Sequence, residues 1–181
     1  MQNIEIKVPI ENRTAMEQKV RDLGASYEWE RTQTDTFFQV ADGFLKLRDL
    51  GGGPGELIGY TRAPGREARP SDYDIAVVGS PADMIRVLER SLGIRGVVEK
   101  TRTLYRWRHT RIHLDNVSGL GHYLELEAVA RDISLDAAKQ EAEELIEKLA
   151  LNREAFLDKT YLELLLDVSE TVVMPPEGFK R

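Results

Sequence analysis

Hydrophobic and polar residues alternate along one stretch of this chain after another. From Asn3 to Val8, the residues Ile4, Ile6 and Val8 fall on one face of an extended strand, and Asn3, Glu5 and Lys7 on the other. Phe44 to Asp49 repeats this, with Leu45 and Leu47 opposite Lys46 and Arg48. Val97 to Trp107 forms a long strand with Lys100, Arg102 and Arg106 on one face. Arg111 to Asp115 sets Arg111, His113 and Asp115 against Ile112 and Leu114. After a turn at Gly119 and Gly121, Glu125 and Glu127 oppose Leu124 and Leu126. Tyr27 to Val40 is rich in Thr and aromatics and reads as a strand, closed by a tight Asp42-Gly43 turn. Glu56 to Arg62, which aligns Ile58, Tyr60 and Arg62, and Asp72 to Val78 bring the total to about eight strands, mostly in hairpins.

Between these strands the period changes to that of a helix. Met16, Val20 and Leu23 are helically spaced from about Asn12, and Gly24 is the stop. Ser80, Pro81 and Asp83 mark a helix start, with Met84, Val87, Leu88 and Leu92 as its apolar face and Gly93 as its end. Ser134 to Leu149 carries the stripe Leu135, Ala138, Ala142, Leu145, Ile146 and Leu149. A shorter helical segment over Arg153 to Leu166 precedes a Pro-containing tail. The pattern predicts an α+β domain over residues 1–166 and a C-terminal tail over 167–181, a tail that could dock on a second copy.

Six of the strands place charge on one face and aliphatics on the other: Glu5/Lys7, Lys46/Arg48, Arg62, Lys100/Arg102, Arg111/Asp115 and Glu125/Glu127. A sheet with one solvated face would show the same alternation. The helices, however, need apolar partners, and the aliphatic strand faces supply them. A sheet covered in this way and curled shut encloses its charged face. A dry interior could not hold such charges, because each unpaired buried ion costs several kcal/mol. A tunnel filled with water and ligand could. The inward set is then Lys7, Lys46, Arg48, Arg62, Lys100, Arg102 and Arg111 against Glu5, Asp115, Glu125 and Glu127, a formal surplus of three positive charges. Such a site suits a polyanion held by Lys and Arg, with Mg²⁺ or Mn²⁺ held by carboxylates.

Other features read more plainly. Gly51-Gly52-Gly53-Pro54-Gly55 lacks the Gly-Lys-Ser/Thr and helix of a phosphate-binding loop, so it is a hairpin connection. His113 and His122 read as structural or rim residues, Trp29 and Trp107 as packing, and Arg66 and Arg69 as part of a solvated loop. The net charge of -6 over 181 residues argues against a nucleic-acid or anionic-membrane surface. With no cysteine and no visible leader or membrane span, the expected location is cytoplasmic.

The order of these motifs resembles the CYTH superfamily, which contains class IV adenylyl cyclases, thiamine triphosphatases and inorganic triphosphatases. The family hallmark is a Glu-x-Glu-x-Lys strand, matched by Asn3-Ile4-Glu5-Ile6-Lys7. The likeness continues through Gln33-Thr34-Asp35-Thr36-Phe37-Phe38, Leu45-Lys46-Leu47-Arg48, Ile58-Gly59-Tyr60-Thr61-Arg62 and Ser71-Asp72-Tyr73. It extends to Val98-Glu99-Lys100-Thr101-Arg102, Leu120 through Glu127, and Thr160 through Leu165, with wording nearest the class IV cyclase-like branch. The resemblance implies an eight-stranded antiparallel β-barrel, a tunnel that binds a triphosphate with Mg²⁺ or Mn²⁺, in an enzyme that is a cyclase or a triphosphatase. A non-catalytic polyphosphate- or nucleotide-binding module is the competing class. It implies Glu5, Asp115, Glu125 and Glu127 as metal ligands and Lys7, Lys46, Arg48, Arg62, Lys100 and Arg102 as the phosphate clamp, joined by Arg111 on the inward face. Glu5, Lys7 and Asp115 are placed nearest the chemistry, and a homodimer is the implied assembly. Three departures stand out: Asn3 replaces the first hallmark Glu, Phe37 stands where Tyr is usual, and Arg69 stands where Lys is expected.

Overall fold

The computed structural model describes residues 2–62 and 69–173, apart from the side chains of 62, 69, 70 and 170–173. The side chains of Arg62 and Arg69, the loop residue Arg66 and the tail beyond 173 therefore lie outside the described residues. In chain order the strands are β1 (Gln2–Pro9), β2 (Ser26–Phe38), β3 (Phe44–Asp49), β4 (Gly55–Arg62), β5 (Arg69–Val78), β6 (Ile94–Trp107), β7 (Thr110–Val117) and β8 (Gly121–Val129). The helices are α1 (Arg13–Asp22), α2 (Pro81–Leu92), α3 (Leu135–Lys148) and α4 (Tyr161–Val173), with a 3₁₀ turn at Arg153–Ala155.

The eight strands close into an antiparallel barrel in the order β1-β5-β4-β3-β2-β6-β7-β8. Hairpins account for most neighbours; the ring closes through three pairings distant in sequence, β1 with β5, β1 with β8 and β2 with β6. Closure leaves no open edge and separates two faces by strand parity. The aliphatic residues that the sequence sets opposite charges on β1, β3, β7 and β8 point outward. Ile4, Ile6, Val8, Ile112, Leu114, Leu124 and Leu126 form one buried layer with Val20 of α1 and with Ala138, Ala142, Leu145 and Ile146 of α3. Each such Leu or Ile contributes roughly 1.5–3 kcal/mol by leaving water. α2 covers the other side, packing Met84, Ile85, Leu88 and Leu92 on Phe38, Leu47 and Val78. Here Val87 departs from expectation: it is 59% exposed, and Ile85 takes the inward place.

Local signals set the boundaries. Asn12, Ser80 and Ser134 cap their helices by accepting from the backbone N–H three residues on. Gly43 adopts φ +67, and a Cβ there would lie 2.8 Å from the carbonyl oxygen of Tyr60. The helical segment expected over Arg153 to Leu166 is instead a 3₁₀ turn, an extended link and then α4. A capping box explains the late start: the Thr160 hydroxyl accepts from Glu163 N–H, and the Glu163 carboxylate accepts from Thr160 N–H. Upstream, Phe156 is buried in the core and Leu157 N–H bonds the Lys7 carbonyl, which holds the link extended across β1. α4 continues across Leu166 to Val173. Its first turn seats Leu162 against Gly96, where a Cβ would come within 2.4 Å of that leucine. Among the described residues no helix is long and apolar enough to cross a membrane.

Candidate functional site

The polar parity of the strands meets inside the barrel, around a cavity of about 460 Å³. Glu5 and Lys7 enter it from β1, Lys46 and Arg48 from β3, Lys100 and Arg102 from β6, Arg111 from β7, and Glu125 and Glu127 from β8. Side chains up to 122 residues apart in sequence, nine of those expected, thus meet in one space. Among the described residues Arg31 and Arg106 bring the lining cations to eight, and Glu28, Asp35 and Glu56 bring the carboxylates to six, a formal surplus of two positive charges.

Asp35 is the residue that sequence reading missed. It points inward from β2, almost wholly buried, and bonds three cations: Lys46 Nζ at 3.0 Å, Arg48 Nε at 2.8 Å and Lys100 Nζ at 2.7 Å. Burial alone would raise its carboxyl, but Arg48, Lys100 and Lys46 together hold it well below the usual range. The cations fare differently, because one carboxylate is shared among three of them. Burial pushes Lys46 down to about 7, against the pull of Asp35 and with the repulsion of Arg48 and Lys100. Lys100 is lowered for the same reasons. An Asp in mid-strand, two residues from Gln33 and from Phe37 on the same face, was the available clue, since Asp is depleted in strands without a special partner.

A second cluster gathers the glutamates. Glu5 and Glu127 stand opposite each other across β1 and β8, and Lys7 stands opposite Glu125. Burial works against ionised Glu125, but Arg102, 3.3 Å away, and Lys7, 4.0 Å away, keep it well below the usual range. Glu127 accepts from Arg111 at 3.1 Å and from Asn3 Nδ2. Its burial is likewise outweighed, chiefly by His113 and Arg111. His113 is neither on the rim nor in the outer core. It lies inside, with Nδ1 3.8 Å from Glu125 and Nε2 3.8 Å from Glu127, and burial and then Arg102 lower its basicity.

This corner fits a hard divalent cation. Its donors are oxygens, and the Asn3 amide oxygen beside them is buried without a hydrogen-bond partner. Among the described residues no three carboxylates or imidazoles already converge as a closed cage. Oxygen donors of this kind are the ligands that Mg²⁺ or Mn²⁺ would take.

Asp115 departs from the expected ligand set. It is fully buried behind the cavity wall, and both oxygens are engaged. Arg102 binds it bidentately at 2.7 and 2.6 Å, and the Tyr161 hydroxyl donates to it at 2.9 Å. With its oxygens so used, Asp115 fixes the direction of Arg102, whose Nη2 also lies 3.3 Å from Glu125. Tyr161, at the start of α4, also lies 4.1 Å below the Lys7 ammonium and, with Thr160, lines the cavity as a buried residue. The remaining aromatics divide: Trp107 packs in the core as expected, whereas Trp29 lines the cavity and joins none of the three buried clusters.

Comparison with known proteins agrees with this geometry. The model of the CYTH domain matches residues 1–161. A protein of Methanocaldococcus jannaschii that bears the name of a candidate adenylate cyclase is 26% identical over 174 residues, covering 91% of this chain and 98% of its own. A solved structure from Pyrococcus horikoshii OT3 superposes with a TM-score of 0.81 at 23% identity, covering 90% of this chain and 99% of that one. Another, from Hippeastrum, is described as a candidate adenylyl cyclase with a dominant triphosphatase activity. It superposes with a TM-score of 0.65 at 14% identity, covering 92% and 96%. A closed eight-stranded barrel with a cation- and carboxylate-lined interior, matched over nearly its whole length, places this chain in the CYTH domain family.

Proposed function

We propose that the protein is a metal-dependent enzyme acting on a nucleoside triphosphate, converting ATP to cyclic AMP and pyrophosphate as a class IV adenylyl cyclase does. The observation that carries this reading is the division of the cavity wall into two chemistries, cations gathered on Asp35 and carboxylates gathered around Glu127. Lys46, Arg48 and Lys100 grip the phosphate chain, exchanging their shared contact with Asp35 for phosphate oxygens. Arg102, aimed by Asp115, adds a charge-assisted donor beside them, and Arg111 adds another, with Arg62 from the end of β4. Glu5, Glu125 and Glu127 would hold Mg²⁺ or Mn²⁺, which when bound neutralises phosphate charge and polarises the reacting groups. Positioning then sets the ribose 3′-oxygen in line with the α-phosphorus. The new O–P bond forms as the bond to pyrophosphate breaks, and the 3′-hydroxyl proton passes to a carboxylate, for which Glu5 is placed. Lys7, between Glu125 and the Tyr161 ring, stabilises charge on the phosphates.

The triphosphatase reading has its own support in the activity described for the Hippeastrum protein and in Asn3, which removes one carboxylate from the family's hallmark strand. Water would then attack the γ-phosphorus in place of the ribose oxygen. Incubation with ATP, thiamine triphosphate and tripolyphosphate under Mg²⁺ and Mn²⁺, with product identification, separates the two. Cyclic AMP with pyrophosphate supports cyclisation; orthophosphate alone supports hydrolysis; no turnover with any of them would leave only a binding module.

A further inference from the structure

We propose that the open end of the cavity is a ring-binding subsite with Trp29 as its platform, so that the substrate is a triphosphate bearing a planar aromatic group such as a nucleobase, not a bare inorganic chain. This builds on the triphosphate reading above and adds which end of the molecule lies where. The two ends of the cavity differ in exposure. At one end Phe37, Val98, Thr160 and Tyr161 are all buried. At the other, Trp29 is half-buried, Ile75 is 41% exposed, and Glu28, Arg31 and Arg106 reach solvent. A substrate whose phosphates occupy the cationic middle can therefore extend an organic group toward Trp29.

The wall at that end departs from regular strand geometry. Tyr27 pairs with Tyr105 and Trp29 with Leu104, so β2 has one residue more than β6 at this point. Such a bulge re-aims side chains and is common beside active sites. Here Tyr27 turns outward, its ring edge-on to Tyr105 at 5.7 Å. Glu28 and Trp29, adjacent in sequence, both line the cavity, which a regular strand with alternating faces does not permit. Glu28 then holds the Arg106 guanidinium, while the Arg31 guanidinium stands 5.0 Å over the Trp29 ring. Leu104, paired with Trp29 on the neighbouring strand β6, supplies an apolar flank, and Ile75 of β5 adds an aliphatic side chain to the lining. An indole with a guanidinium over its face and aliphatic flanks is a stacking site for a flat ring, and its continuity with the cation cluster selects rings that carry a phosphate chain.

The chain contains two tryptophans, so Trp107→Phe leaves Trp29 as the sole indole reporter. ATP with Mg²⁺ is expected to quench that fluorescence, and tripolyphosphate with Mg²⁺ to leave it unchanged. In calorimetry, Trp29→Ala is expected to weaken ATP binding about tenfold or more while shifting tripolyphosphate affinity less than twofold, and Trp29→Phe to restore most of the ATP affinity. Equal effects on both ligands, or none on ATP, would overturn the subsite while leaving triphosphate binding intact. If the unaltered protein bound neither ligand, the triphosphate reading itself would fail, and the subsite with it.

Discussion

Asp35 and Lys100 form a 2.7 Å salt bridge with both side chains almost entirely out of water. Lys46 and Arg48 share the same carboxylate. Without Asp35, three cations would face one another in a confined space of low polarity, so it acts as their resident anion, in the place proposed for phosphate. Asp35→Asn keeps size and some hydrogen bonding but removes the charge. The ligand-free variant should lose about 3 kcal/mol of stability, the scale of breaking a buried pair. Tripolyphosphate should stabilise it by more than it stabilises the unaltered protein, since the ligand restores the missing charge. Urea unfolding with and without tripolyphosphate measures both, and equal ligand-induced shifts would count against the role.

Lys46 makes the same site sensitive to pH. Its ammonium is lowered from the ordinary lysine range to about 7, so above neutrality the ligand-free protein holds it increasingly uncharged. A bound polyanion favours the charged form and raises that pKa, so binding takes up a proton. Affinity for ATP should therefore fall as pH rises from about 7.5 to 9, by up to about tenfold per pH unit, where the charge on its phosphates is nearly constant. Calorimetry in buffers of different ionisation enthalpy reads the proton uptake. Lys46→Arg should flatten the dependence, because arginine stays charged throughout.

Much of the barrel was legible because parity is a simple rule: Ile4, Leu47, Leu114 and Leu126 announce one face, and Glu5, Lys46 and Glu127 the other. Parity does not say how deep a residue sits, or what already occupies it. Asp115 shares a face with His113, yet it is sealed behind Arg102 by a hydroxyl from α4, an element with no fixed register to the sheet. Trp29 resembled packing because an aromatic in a strand usually is packing, and the nearby bulge leaves no unambiguous mark in sequence. The late start of α4 was readable, in retrospect, from Thr160 and Glu163 as a capping pair.

Asp115 supports a test that separates positioning from metal binding. Because it holds Arg102 in a two-point contact, Asp115→Asn should loosen that guanidinium and weaken triphosphate binding roughly tenfold. The concentration of Mn²⁺ giving half-maximal turnover should move less than twofold. Tyr161→Phe, which removes only the hydroxyl donor, should show a smaller loss in the same direction. A large shift in metal requirement for Asp115→Asn would return the residue to the ligand set.

Glu127 and Arg48 should fail in opposite ways. Glu127→Gln removes a carboxylate that faces Glu5 across the β1–β8 pairing, so the interior becomes more positive by one charge. Affinity for metal-free tripolyphosphate should hold or increase. Metal-dependent turnover should fall about 100-fold or more, roughly 2.7 kcal/mol of lost transition-state stabilisation. Arg48→Ala removes a cation that already grips an anion in the ligand-free protein, and it leaves Asp35 with two partners instead of three. Triphosphate binding should weaken with and without metal, while the metal concentration at half-maximal rate stays near its original value. Calorimetry with tripolyphosphate and a turnover assay over a metal series distinguish the two. If both variants lost binding alike and neither altered the metal requirement, the cavity would not divide its work between a cationic wall and a carboxylate wall.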